Sequence, residues 1–334
     1  MLTYSDQLTM SHVGLGNLNE YALLIAFGNA HSKALVHGLD INADQIVDAK
    51  GRQLYPAYFM THLTVPPHLL LNSHTLWDDL EVGVDVRRFG DTLLDSTYMI
   101  CQEGDGQGVD QDAMAALAGE RVTMTANSLF VVDASVDNST ERQIAIPKPD
   151  CLAPLEKMAK PPAAIKRARE VRMAGLGEGE TMEQLASCAP FTYELLPGRD
   201  THANHAMIFA KFSEIMNVAE YDLLTRQLIP GLSHRLYDCL RLLEREVYYY
   251  GNCFGGERLQ VFLKGKLEPC APDFHGKNLR LISGGILTLT IEIYQEKDNT
   301  LLSMAKVKKL VAIPTQAQEL KSDLDRYFHM AGKG

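Results

Sequence analysis

The sequence predicts an α+β protein built from a duplicated unit, each copy a strand, a long apolar helix and an antiparallel sheet. Three observations carry that expectation. Apolar residues at 22, 23, 25, 26, 30, 34 and 35 follow a helical period between Leu18 and Leu39, and a second such stretch runs from Ala206 to about Leu228. Each stretch is followed by long β-type runs, which need an apolar helix to cover one face of their sheet. Phe191-Thr-Tyr193 also echoes Leu2-Thr-Tyr4 about 190 positions later, a spacing of domain duplication rather than of a solenoid, whose repeats span about 20 to 50 residues.

Taken in order, Leu2 to Met10 reads as a strand, and Ser11 to Glu20 is rich in turn formers and caps. The first helix follows and ends near Gly38. A strand from Tyr55 to Thr64 comes next, with Pro56 marking its start or an edge. Runs at Asp79 to Arg88 and Thr92 to Gln102 form a hairpin around Phe89-Gly-Asp91, and Arg121 to Val132 closes the first half. From there to Cys188, prolines at 147, 149, 154, 161 and 162 punctuate a connection. The expected division is an N-terminal unit over 1–135, a linker with a basic helical segment over 136–188, and a C-terminal unit over 189–334. In the second unit, Leu243 to Tyr250 resembles the Tyr55 to Thr64 strand, with Tyr248 in the place of Tyr58. Gly284 to Gln295 and Leu301 to Ile313 finish the sheet.

The chain has 334 residues, a formal charge of -10 and 46% hydrophobic residues. An acidic chain lacks the general basic face with which a nucleic-acid binder displaces counterions, so nucleic acid is not an expected partner. Six cysteines at 101, 151, 188, 239, 253 and 270 form no Cys-x-x-Cys pair, which reads as reduced thiols in the cytoplasm. The start, Met1 to Asp6, is unlike a signal peptide, and no apolar run is long enough to span a membrane.

The Tyr55 to Thr64 strand holds the chemistry. Alternation places Tyr58, Met60 and His62 on one face and Phe59, Thr61 and Leu63 on the other. Before the first helix lies a loop with His12, Gly14, Gly16 and Asn17. Amides from Asn17 to Glu20 begin that helix and offer donors to a developing oxyanion, to which the Asn17 side chain adds another. Tyrosine is a poor nucleophile unless a base favours its anion. His62 is four residues along the strand, about 13 Å away, which makes His12 the better base. Gly14-Leu-Gly16 lacks the third glycine of a dinucleotide fingerprint. His202 and His205 have no further ligands to complete a metal tetrahedron, so no metal is expected. Lys157, Lys160, Lys166, Arg167, Arg169 and Arg172 form a basic cluster in an acidic chain, either a solvated helix face or a dock for an acidic partner.

This organisation resembles the hotdog superfamily, in which a curled antiparallel sheet wraps a long helix and most members act on acyl thioesters. Asp200-Thr-His-Ala-Asn-His205 and Asn217-Val-Ala-Glu220 look like the loop and helix of thioesterase-type hotdogs. Over nearly the whole length, the Gly14 to Asn17 loop and Pro56-Ala57-Tyr58 resemble double-hotdog acyltransferase/decarboxylases of leinamycin-type polyketide biosynthesis. The resemblance implies a double hotdog that decarboxylates a malonyl- or methylmalonyl-type group from coenzyme A and passes the acyl group to an acyl carrier protein. It implies Tyr58 as the acylated or polarising residue, with Tyr55 the competing placement, Asn17 as oxyanion donor, His12 as proton carrier, and Gly14, Gly16 and His62 around the substrate. Coenzyme A is then substrate, no cofactor is implied, the basic cluster docks the carrier's phosphopantetheine-bearing domain, and a homodimer is a candidate assembly. The rival readings are a hotdog thioesterase or dehydratase using Asp200, His202 or His205, and a carrier-binding scaffold without catalysis.

Overall fold

The computed structural model describes residues 2–7, 13–14, 17–69, 79–101, 114, 119–132, 149–176, 185–186, 189–202, 206–227, 233–270 and 281–331. The first half comprises β1 (Leu2–Gln7), the short pair β2 (Val13–Gly14) and β3 (Asn17–Leu18), α1 (Glu20–Leu39), β4 (Leu54–Thr64), β5 (Asp79–Phe89), β6 (Leu93–Ile100) and β7 (Thr123–Val132). Between the halves stand α2 (Ala163–Ala174) and β8 (Leu185–Ala186). The second half comprises β9 (Phe191–Glu194), α3 (Phe209–Gln227), α4 (Ser233–Tyr237), β10 (Leu240–Tyr249), β11 (Arg258–Glu268), β12 (Leu281–Gln295), β13 (Thr300–Pro314) and α5 (Gln318–Ala331).

All described strands except the separate β2–β3 pair form one antiparallel sheet in the order β1-β5-β6-β7-β4-β10-β13-β12-β11, with β8 and β9 both pairing with β11. The first half's order, β1-β5-β6-β7-β4, recurs in the second as β9-β11-β12-β13-β10. The halves meet where β4 pairs with β10, from Glu244 opposite Thr64 to Tyr248 opposite Met60. Beyond Tyr249, β10 ends while β4 continues to Leu54, so Leu54 to Tyr58 have no strand on that side among the described residues.

Helices α1 and α3 cover one face of the sheet and share a core with it, α1 through residues such as Leu23 and Phe27 and α3 through Phe212, Ile215 and Leu224. They run antiparallel, since Glu20 at the start of α1 meets Asn217 while Gly28 meets Phe209 at the start of α3. A Cβ on Gly28 would lie 2.9 Å from Phe209 Cε1, so glycine here lets the helices approach. On the opposite face, α2 places Val171 against Met60, Tyr248 and Met304.

The helices start later than the apolar patterns do, at Glu20 instead of Leu18 and at Phe209 instead of Ala206. Asn19 is the N-cap of α1, its side chain accepting from the Ala22 N–H at 2.7 Å, so the cap is two residues beyond Asn17. Asn17 instead lies in β3, opposite Gly14. Strand β11 and helix α5 are additions that the sequence reading left out. None of the described helices is long and apolar enough to cross a membrane.

Candidate functional site

A β-bulge decides where the site lies. The register between β4 and β7 shifts between Tyr58 and Met60, which breaks the simple alternation of side chains. Tyr58 consequently joins the core beneath α1 and α3, whereas Met60 packs under α2 on the other face. His62 is also separated from Tyr58. It bonds Glu244 on β10 at 2.9 Å, and Glu244 in turn accepts from Lys308 at 2.7 Å. The His62 bond, followed by Lys308, holds the Glu244 carboxyl down at about 2. The expectation that Tyr58, Met60 and His62 share one face is therefore corrected by one inserted residue.

Tyr58 stands at the end of a buried polar chain. Its hydroxyl lies 3.1 Å from the Tyr98 hydroxyl, which lies 2.7 Å from His31 Nδ1, and Ser96 Oγ approaches the same nitrogen at 3.3 Å. His31 comes from the apolar side of α1, while Tyr98 and Ser96 come from β6. Burial pushes the His31 pKa down to about 4, so its imidazole is neutral at pH 7. Nε2 is buried without a partner. A buried unpaired N–H is rarer and costlier than an unpaired lone pair, which assigns the hydrogen to Nδ1. In that arrangement His31 donates to Tyr98, Tyr98 donates to Tyr58, and the Tyr58 proton is left to donate outward. Burial raises the Tyr58 pKa well above the ordinary phenol value, and the Tyr98 hydrogen bond offsets this only in part. Tyr58 is accordingly a neutral donor.

The phenol also lies at a helix start. Phe209, the first residue of α3, packs against the Tyr58 ring with centroids 4.7 Å apart. The first N–H groups of a helix lack intrahelical acceptors and carry its positive end, so a negative oxygen near this position meets favourable dipoles. The loop leading into α3 includes His202, an exposed side chain whose pKa is lowered by partial desolvation.

Asp200, a candidate acid or base, has a different place. It is fully buried, with Arg199 Nε at 2.8 Å, Lys211 Nζ at 3.3 Å, the Tyr193 hydroxyl at 3.1 Å and the Leu196 N–H at 2.9 Å. Burial alone raises its pKa, but the bonds from Arg199 and Leu196 and the Lys211 charge outweigh it and hold the carboxyl at about 2. Held in this way, the carboxylate anchors the loop that leads into α3.

A second polar cluster ties the start of α1 to the other half. Arg245 on β10 lies 2.5 Å from Glu20 and donates to Asn217 Oδ1 at 2.7 Å; Lys309 on β13 bonds Asn217 at 3.0 Å and Glu220 at 2.7 Å. Thr61 and Tyr249, 3.2 Å apart, bridge β4 and β10 between the two clusters. Tyr249, instead of Tyr248, is therefore the β10 tyrosine facing α1 and α3; Tyr248 is buried on the opposite face under α2 and bonds Glu246.

Of the other expected site residues, Tyr55 occupies the alternate face of β4 from Leu54. His12, Gly16 and His205 lie outside the described residues. The basic cluster does not form a single face. Arg167 approaches Glu246 at 4.0 Å and Arg172 lies over the Tyr250 ring, while Lys166 and Arg169 point outward, with Lys157 and Lys160 exposed on the segment before α2. No metal-ligand grouping occurs among the described residues. His31, Tyr98 and Arg245 were missed from the sequence; the available signal was a histidine and an arginine in otherwise apolar, helix-facing positions.

No family model and no curated protein sequence matches the chain. Solved structures do. A protein described as an oleoyl thioesterase from Lactobacillus plantarum superposes with a TM-score of 0.59 at 11% identity, covering 93% of this chain and 96% of that one. An acyl-ACP thioesterase from Bacteroides thetaiotaomicron superposes with a TM-score of 0.52 at 12% identity, covering 92% and 96%. The chain has a hotdog fold. Within that hotdog architecture, the Tyr58 chain lies at the start of α3 and the middle of α1, and the Glu20–Arg245 cluster at the start of α1 and the middle of α3.

Proposed function

We propose that this protein is a thioesterase of hotdog type, a double hotdog with units at 1–135 and 189–334 joined by 136–188, acting on acyl chains bound to coenzyme A or to an acyl carrier protein. The observation that carries the reading is the Tyr58 hydroxyl, held by the Tyr98–His31 chain beside the start of α3 with its own proton not used within that chain. The fold shared with the two thioesterase structures supports it. Tyr58 donates a hydrogen bond to the thioester carbonyl oxygen, and the first amides of α3 favour the negative charge that develops there. His202 takes a proton from the attacking water. The tetrahedral intermediate collapses with cleavage of the C–S bond, and the proton passes to the departing thiolate, releasing a carboxylic acid and a thiol.

Acylation of Tyr58 itself is less well supported, because burial opposes the phenolate that such a step requires. The deciding experiment is thiol release from a panel of acyl-CoA thioesters by the wild type and by Tyr58→Phe. Loss of one oxyanion donor is expected to lower kcat by roughly 10²- to 10³-fold. Equal turnover by both proteins sinks the role of Tyr58. Carbon dioxide release from malonyl-CoA without net hydrolysis favours the decarboxylating alternative, and carrier binding without turnover favours a scaffold.

A further inference from the structure

The outward side of α2 is a surface that the folded chain leaves open. Pro161, Pro162, Ile165, Lys166, Arg169, Glu170 and Met173 line a groove of about 260 Å3 there. Met173 is 88% exposed, the most exposed large hydrophobic side chain among the described residues. A methionine left in water beside two cations and one acid is the composition of a contact surface, since the thioether adapts to an apolar partner group while the net positive charge selects the partner.

The helix is well placed to bear a load. Its inward side is fixed by Val171 in the core beneath it and by the Tyr250 hydroxyl, which donates to the Ala168 carbonyl at 3.2 Å. Arg172 lies over the Tyr250 ring and Arg167 near Glu246. These contacts use two of the six cations and leave Lys157, Lys160, Lys166 and Arg169 outward. Lys166 lies 3.6 Å from Glu170, and Arg169 has no ion pair among the described residues. From 157 to 172 the chain carries six cations and one acid, against a whole-chain charge of -10. The local sign is opposite to that of the rest of the molecule.

We propose that the outer side of α2 docks an acidic acyl carrier protein, an apolar side chain of the carrier entering the groove at Ile165 and Met173 and its carboxylates meeting Lys166 and Arg169. The choice of a carrier rests on the thioester function proposed above, whereas the acidic and apolar character of the partner rests on the groove itself.

The test uses an acidic acyl carrier protein bearing its phosphopantetheine arm, unacylated for binding and acylated for turnover. The full-length protein is compared with Lys166→Glu/Arg169→Glu, with Met173→Asp, and with Lys50→Glu/Lys297→Glu, a control that makes the same charge change elsewhere. All these side chains are exposed, so the folded state should persist, and circular dichroism checks it. Two reversed charges are expected to weaken carrier binding by roughly tenfold or more, with a steep salt dependence in the wild type. Met173→Asp should weaken it as well, and the control should not. On acylated substrates the groove variants should raise KM for the carrier-bound chain and leave turnover of the acyl-CoA unchanged. Equal carrier affinity across all four proteins, or no carrier binding by the wild type, overturns the proposal. Wild-type binding without acyl-CoA turnover would instead remove the thioesterase reading while leaving the docking surface in place.

Discussion

Replacing Tyr98 with phenylalanine tests the polar chain while leaving the packing intact. The phenyl ring that remains can keep the stacking against Phe27, whose centroid lies 5.3 Å away, so only one oxygen is removed. That oxygen is fully buried and makes bonds at 3.1 Å to Tyr58 and 2.7 Å to His31. Each buried bond contributes about 1 kcal/mol net, and His31 would retain only Ser96 at 3.3 Å, so the expected loss of stability is about 2 kcal/mol. Urea unfolding measures it. Turnover should fall as well, by roughly tenfold, since a misaligned donor loses part of its benefit in the transition state. Because Tyr98 acts only through Tyr58, adding Tyr98→Phe to Tyr58→Phe should cost little further activity. Wild-type stability in Tyr98→Phe, or a double variant as slow as the product of the two single effects, would refute the relay.

Arg245→Met leaves Glu20 charged and buried without its cation, with an expected cost of about 3 to 5 kcal/mol in urea unfolding; removing Glu20 as well, as Glu20→Met, should recover much of that. His31 binds its proton less readily folded than unfolded, so stability should decline as pH falls from about 6.5 toward 4, and His31→Gln should flatten that decline in pH-dependent melting. Asp200 behaves in the opposite range. Its depressed pKa supplies stability above the unfolded carboxyl value of about 4, which is lost as pH falls through about 2; Asp200→Asn should therefore be less stable near neutrality and show a shallower acid limb.

The sequence reveals the long elements because their physics is local. The apolar period of α1, the Phe89-Gly-Asp91 turn and the long pair β12 and β13 all declare themselves over a few turns or a single hairpin. Tyr58 could be singled out for the same reason, as a polar-tipped aromatic on a strong strand. Its neighbours could not, because Tyr98 is 40 residues away in the chain and the bulge after Tyr58 depends on the register with β7. Alternation without that bulge assigns His62 to the wrong face. Asp200 was visible as a residue but not as an ion-pair centre, since Lys211 reaches it only once α3 is folded. The hydrogen-bonded cap at Asn19 shows the same limit on a smaller scale: Asn17 and Asn19 stand two positions apart, and only the backbone tells which one closes the helix.

The seam between β4 and β10 has a consequence for how the molecule can be divided. If the chain were cut within 136–188, each fragment would present a naked strand edge, β4 on one and β10 on the other, with amides and carbonyls ready to pair. Two fragments expressed together should find each other along that seam and regain the Glu20 to Arg245 bond across it. A fragment expressed alone would satisfy its edge with another copy of itself, so self-association is the natural fate of half a molecule and the single chain is what keeps unlike halves together.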